Sequence, residues 1–134
     1  MQLDVHDERL ALCRLPAHTP TPDWVDDADG PLVAVVRTGA EVSVVVPERV
    51  LPDDLDGGDV EVVAGWRALS VRGPLDLSLT GVLSGLAEAL AAAGVPLLAI
   101  GTYDTDWLLV GADRLAAATS ALEAAGHRVH QPGA

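Results

Sequence analysis

The sequence has no lysine, no phenylalanine and a single cysteine. Without lysine there is no ε-amine for Schiff-base chemistry or for gripping a phosphate. Cys13, alone, cannot form an intramolecular disulfide or a cysteine-rich metal site. Trp24, Trp66, Tyr103 and Trp107 are all the aromatics, so the core has to be built from Val, Leu, Ile and Ala. Long hydrophobic runs are missing too. The longest apolar stretch, residues 86–100, is broken by Glu88, Gly94 and Pro96, which excludes a membrane span. Met1-Gln2-Leu3-Asp4 lacks a basic region followed by an apolar run, so no signal peptide is expected and a cytoplasmic location is.

Charge is present in abundance, but of one sign. The formal net charge is −12. Such a surface repels phosphate backbones, which argues against nucleic acid and anionic membrane as partners. The 134 residues suit one compact domain or two small units packed together. Residues 52–59, rich in aspartate and glycine, read as a loop and as the boundary region, giving units 1–63 and 64–134.

The first half reads as short strands. Residues 10–15 form a strand closed by Pro16, and one helical turn is expected at Asp23-Trp24-Val25. Two β-branched runs, 32–36 and 42–46, flank Arg37-Thr38-Gly39-Ala40-Glu41, a hairpin with Gly39 supplying the turn. In the second half, residues 60–63 and 66–71 are extended, as one strand bent at Gly65. Leu79, Val82, Leu83, Leu86 and Leu90 then recur at helical spacing. Ser78 or Asp76 can cap that helix, and Gly94 and Pro96 stop it. Residues 97–102 predict a buried strand and 107–110 another. A second helix starts near Asp113 with Leu115, Ala118, Thr119 and Leu122 on one face. Gly126 closes it, and Val129 sits in a last strand. The order is strand, helix, strand, strand, helix, strand: the ferredoxin-like βαββαβ unit of an α+β protein.

Two runs carry a family likeness. They are Gly73-Pro74-Leu75-Asp76-Leu77-Ser78-Leu79-Thr80-Gly81-Val82-Leu83 and Ile100-Gly101-Thr102-Tyr103-Asp104-Thr105-Asp106-Trp107-Leu108-Leu109-Val110. Together they resemble an ACT-domain subfamily that includes small bacterial proteins and the CASTOR arginine sensors. Arg37 to Val45 and Trp66-Arg67-Ala68-Leu69 are similar to further segments of its members. Gly101 stands where the subfamily usually has Ser, and Trp107 where it has Tyr or Phe. The resemblance implies an ACT domain with a degenerate N-terminal ACT-like unit beside it, and an amino acid held between ACT units, often across a homodimer interface. It places Leu79, Thr80 and Gly81 in the ligand loop, Asp106 as the acidic contact, and Pro96 and Leu97 as strand contacts. Pro96 departs from the pattern, since it offers neither N–H nor hydroxyl, which weighs against arginine itself.

The residues support that reading on chemical grounds. A free amino acid brings a carboxylate, which suits the uncapped N–H groups of a helix start near Asp76 to Gly81. Gly81 lets a ligand approach the backbone, and Thr80 offers a hydroxyl. The ammonium wants a carboxylate, and Asp104 and Asp106 lie on the adjoining turn with Thr102. Asp76 and Ser78 can equally be a helix cap, Asp104 and Asp106 turn residues, and Trp66 and Trp107 core anchors.

Nothing points to catalysis. Asp104-Thr105-Asp106 lacks the glycine of an aspartic-protease signature. His6, His18, His127 and His130 lack metal spacing. The acidic loops at 26–30 and 53–57 miss the full calcium pattern. The expectation is a non-catalytic, cofactor-free amino-acid-binding regulatory protein. The alternatives are an interaction module that keeps the fold without a ligand, or a subunit regulating a biosynthetic enzyme in trans.

Overall fold

In a computed structural model, residues 1–55, 58–76 and 78–133 are described. Asp56 and Gly57 of the acidic loop and Leu77 of the first motif lie outside them. The elements are β1 (Gln2–Pro16), α1 (Asp23–Asp26), β2 (Ala34–Arg37), β3 (Glu41–Pro47), β4 (Glu61–Val71), α2 (Val82–Ala92), β5 (Leu98–Gly101), β6 (Asp106–Gly111), α3 (Leu115–Ala124) and β7 (Arg128–His130). Short 3₁₀ turns follow β3 at Glu48–Val50 and precede α3 at Ala112–Arg114.

The chain packs as two units, one of Met1–Asp7 with Arg67–Ala134, the other of Glu8–Trp66. The first seven residues thus belong with the C-terminal unit, which resumes at Arg67. Both β1 and β4 contribute to both units.

The C-terminal unit has the expected βαββαβ order. Its strand neighbours run β7, β1, β4, β6, β5, with β1 inserted between the unit's first and last strands. The pairing of β1 with β7 is parallel, Gln2 to Asp4 facing Arg128 to His130, while β5 and β6 form an antiparallel hairpin. Strand alternation sends Leu3, Val5, Leu69, Val71, Leu108 and Val110 to one side. There they meet Leu86 and Leu90 of α2 and Ala118 and Leu122 of α3, all of them buried. Both helices end the same way. Gly94 (φ +72°) and Gly126 (φ +94°) take the left-handed conformation just past the last turn. The next residues, Val95 and His127, return their N–H groups to Leu90 and Leu122 at 2.9 and 3.0 Å. This double closure satisfies carbonyls that a helix end otherwise leaves open.

The N-terminal unit runs β2, β3, β1, β4. Between its strands lie the four residues of α1 and one 3₁₀ turn. Its core is Ala11, Cys13, Leu15, Val25, Val42, Val44 and Val46. Gly65 bends β4 as expected, at φ +84°, and its N–H donates to Glu48 Oε2 at 2.7 Å.

Four expectations need correction. Strand β1 begins at Gln2, eight residues before the predicted start, because Leu3 and Val5 alternate inward ahead of the charged run 6–9. Helix α2 begins at Val82, not Leu79, with Gly81 at its N-cap and no side-chain cap. Asp76 instead folds onto its own loop, accepting from Ser78 N–H at 2.9 Å and Ser78 Oγ–H at 2.8 Å. Strand β5 is an edge strand with Ala99 and Gly101 exposed, so the run at 97–102 is not buried. In the β2–β3 turn Gly39 takes no positive φ. The Thr38 hydroxyl shapes that turn, accepting the N–H groups of Ala40 and Glu41 at 3.1 Å each.

Candidate functional site

Two segments of the C-terminal unit, 75–82 and 102–106, enclose one groove of about 150 Å³. One wall is the segment leading into α2, and the other is the β5–β6 turn. Two short hydrogen bonds clasp them. Leu75 N–H donates to the Asp104 carbonyl at 2.7 Å, and Thr105 Oγ1–H donates to the Val71 carbonyl at 2.7 Å. Gly73 is what lets the walls meet. A Cβ there would lie 3.0 Å from Asp104 O, 3.0 Å from Leu75 N and 3.3 Å from Thr105 Cβ. The turn itself is held by Thr102, whose N–H and hydroxyl both donate to the Thr105 carbonyl, at 2.9 and 3.0 Å.

Of the nine expected ligand residues, Asp76, Leu79, Thr102, Asp104 and Asp106 line this groove. Thr80, Gly81, Pro96 and Leu97 do not. Gly81 is instead the left-handed N-cap (φ +79°) that turns the chain into α2. Leu97 packs against the helix-covered core. The remaining lining comes from Leu75, Val82, Tyr103 and Thr105. The repeating Asp-Thr-Asp signals the turn, but nothing in it marks Thr105 as the clasp.

Among the described residues, three carboxylates and no basic side chain line the groove. Hydrogen bonds from the Ser78 backbone and then from its side chain hold the Asp76 carboxyl below its ordinary range. Asp106 is half-exposed and faces Gly101 across the β5–β6 ladder. A Cβ on Gly101 would sit 3.7 Å from Asp106 Oδ1, an ordinary contact, so glycine leaves room beside that carboxylate. At the other end lies the start of α2. Its first-turn N–H groups meet no side-chain cap, and Val82 borders the groove. The groove therefore carries carboxylates on both walls and has the start of a helix, its positive end, at its border. Leu79 is 54% exposed and Tyr103 83%, so both leave apolar surface beside the carboxylates.

These features define the class of fold, a ferredoxin-like α+β unit. The family model for the ACT domain matches residues 61–124, from β4 to the end of α3. A search of curated proteins finds no match. Among solved structures, a protein from Agobacterium tumefaciens is 28% identical with a TM-score of 0.87, over 99% of this chain and 94% of that one. The ligand-free regulatory subunit of aspartate kinase from Thermus thermophilus is 16% identical with a TM-score of 0.59, over 89% and 94%. The aspartate kinase of Clostridium acetobutylicum is 10% identical with a TM-score of 0.70, over 92% of this chain and 33% of that one. This chain thus spans about a third of that enzyme, and the two aspartate kinase comparisons concern fold alone.

Among the described residues, no helix is long and apolar enough to cross a membrane.

Proposed function

We propose that the chain is a non-catalytic regulatory module that binds a free amino acid in the groove between Asp76 and Asp106. The observation that carries this reading is the juxtaposition of carboxylates and an uncapped helix start in one small groove. The α-carboxylate sits at the N–H groups beginning α2, and the ammonium sits on Asp104 and Asp106. The apolar rim of Leu79 and Tyr103 is covered by an ACT unit of a second copy, as a homodimer, which excludes water and strengthens the charged contacts. The N-terminal unit is read as a degenerate ACT-like unit on the strength of its strand order. Regulation follows if bound amino acid favours one association or conformational state over another.

The test is thermal stability against the twenty amino acids. A ligand at a hundred times its Kd adds about 2.7 kcal/mol to the folded state. One hit, or a few related ones, supports the reading. No shift at millimolar concentrations overturns it. It would favour the second reading, an interaction module whose exposed Leu79 and Tyr103 meet a protein partner such as an enzyme regulated in trans.

A further inference from the structure

The sheet of the C-terminal unit turns one face to its helices. The other face carries a cavity of about 490 Å³. Asp4 and His6 of β1 alternate with Leu3 and Val5, which enter the core, and Arg72 of β4 follows Val71 in the same way. Together with His130 of β7 and residues 131–133 after it, they line this cavity. It shares no lining residue with the groove at Asp76 and Asp106.

Its polar groups form one network across three strands. Arg72 Nε and Nη2 donate to Asp4 Oδ2 and Oδ1 at 2.9 Å each. Arg72 Nη1 donates to Gln2 Oε1 at 3.2 Å, and His130 Nε2 meets the same oxygen at 2.9 Å. An amide oxygen only accepts, so His130 carries its hydrogen on Nε2 and leaves Nδ1 open. The guanidinium has more N–H donors than these bonds use, and Arg72 keeps a spare hydrogen on Nη1 and another on Nη2. One amide oxygen thus holds a guanidinium and an imidazole side by side. Both carboxylates in the lining are already answered. Asp4 has the Arg72 fork, which lowers its pKa, and Asp7 has Arg67 Nη2 at 3.8 Å. His6 is engaged as well, stacked on Trp107 and paired with Ser70 Oγ at 2.8 Å. Burial lowers its pKa and keeps it neutral. Arg128, two residues before His130 on β7, adds positive charge on the same face. A cation finds little here, since both oxygens of Asp4 are taken. Among the described residues no three His, Cys, Asp or Glu side chains come together to hold a metal ion.

We propose that this cavity binds a small oxyanion, a phosphate group or a carboxylate, bridging Arg72 and His130. One oxygen takes the spare hydrogens of Arg72, and another takes Nδ1–H of the protonated His130. Both contacts are charge-assisted. Binding is linked to the uptake of one proton, so it strengthens as pH falls through the imidazole range. The net charge of −12 does not forbid this. Charges more than about 10 Å away are largely screened at 0.1 M salt, and the charges lining the cavity balance before the proton arrives. The site stands apart from the amino-acid groove, and its test does not depend on that reading.

The experiment is a nuclear magnetic resonance titration of the full chain, read at the histidine Cε1–H signals. The probes are sodium sulfate, a tetrahedral dianion whose charge is constant over the range used, and sodium acetate, both at fixed ionic strength. Titrations are run at about pH 6 and about pH 8, either side of the ordinary imidazole value. At the lower pH at least one probe gives a saturable shift of His130 that His18, in the N-terminal unit, does not share. At the higher pH its affinity is at least about tenfold weaker. Tighter binding of sulfate identifies a phosphate group as the natural occupant, and tighter binding of acetate a carboxylate. His130→Gln can still donate to Gln2 but cannot take up a proton, so it lowers the affinity at the lower pH to that at the higher. Should that variant fail to fold, the wild-type titrations decide alone. No saturable shift, an equal shift at His18, or an affinity unchanged between the two pH values overturns the proposal.

Discussion

Replacing Gly73 with alanine tests whether the groove walls meet as described. The added Cβ would lie 3.0 Å from two backbone atoms, Asp104 O and Leu75 N, and 3.3 Å from Thr105 Cβ. The two backbone atoms hydrogen-bond to each other at 2.7 Å, so neither can retreat without lengthening that bond. The second clasp, Thr105 to Val71, resists the same separation. Overpacking of this kind costs about 1–3 kcal/mol. With backbone on two sides, a cost of about 2 kcal/mol is expected, a fall in melting temperature of about 6–10 °C for a chain of this length. The same variant separates the Asp76 wall from the Asp104 wall and weakens any ligand that bridges them. Differential scanning calorimetry, with and without the amino acid found by the stability screen, reads both effects. A Gly73→Ala protein melting within about 2 °C of wild type would refute the close approach on which the groove depends.

Asp106→Ala should weaken ligand binding about tenfold, the lower end of a charge-assisted hydrogen bond because Asp106 is half-exposed; unchanged affinity by calorimetry removes it from the site. Leu90→Ala, at a fully buried position of the C-terminal core, should cost about 2–5 kcal/mol in urea unfolding, and a loss below about 1 kcal/mol would contradict its placement. Burial pushes the Cys13 thiol up to about 11, so it should react with a thiol reagent only on unfolding, and fast native labelling would contradict the packing. His6 stacks on Trp107 with ring centroids 4.7 Å apart and pairs with Ser70 Oγ at 2.8 Å. Burial lowers its pKa, against a smaller opposing pull from Asp4. A depressed folded pKa means the unfolded chain binds the proton more readily, so stability is full above about pH 6.5 and declines as pH falls through the folded value. His6→Gln should flatten that slope in melting temperature between about pH 7 and pH 5; an unaltered slope would assign it to other groups.

Much of the fold could be read from the sequence because its signals are local. The β-branched runs around Arg37 to Glu41, the periodic leucines up to Leu90, and the glycines at 94 and 126 each act within a few residues. What could not be read depends on distant partners. β1 runs back to Gln2 because Leu3 and Val5 find the α2–α3 core, although residues 6–9 look too charged for a strand. Strand β5 reads as buried from Leu97, Leu98 and Ile100, but its place at the sheet edge exposes alternate residues. At the groove, Asp76 and Asp104 follow from the segment before the helix and the turn between the strands, while Leu79 and the role of Asp106 as acidic contact come from the family resemblance. Thr80 and Gly81 missed it because Gly81 ends the loop one turn later than the leucine periodicity suggests. The clasp by Gly73 and Thr105 depends on a backbone approach across some thirty residues, and no pattern in either segment announces it.

The most direct test of amino-acid binding in this groove is a nuclear magnetic resonance titration of the labelled protein with each amino acid. The account predicts saturable shifts for at least one, centred on the amides of Leu79, Val82, Thr102, Asp104 and Asp106 and lost in Asp106→Ala. Shifts centred elsewhere, or none with any amino acid at millimolar concentration, would contradict it.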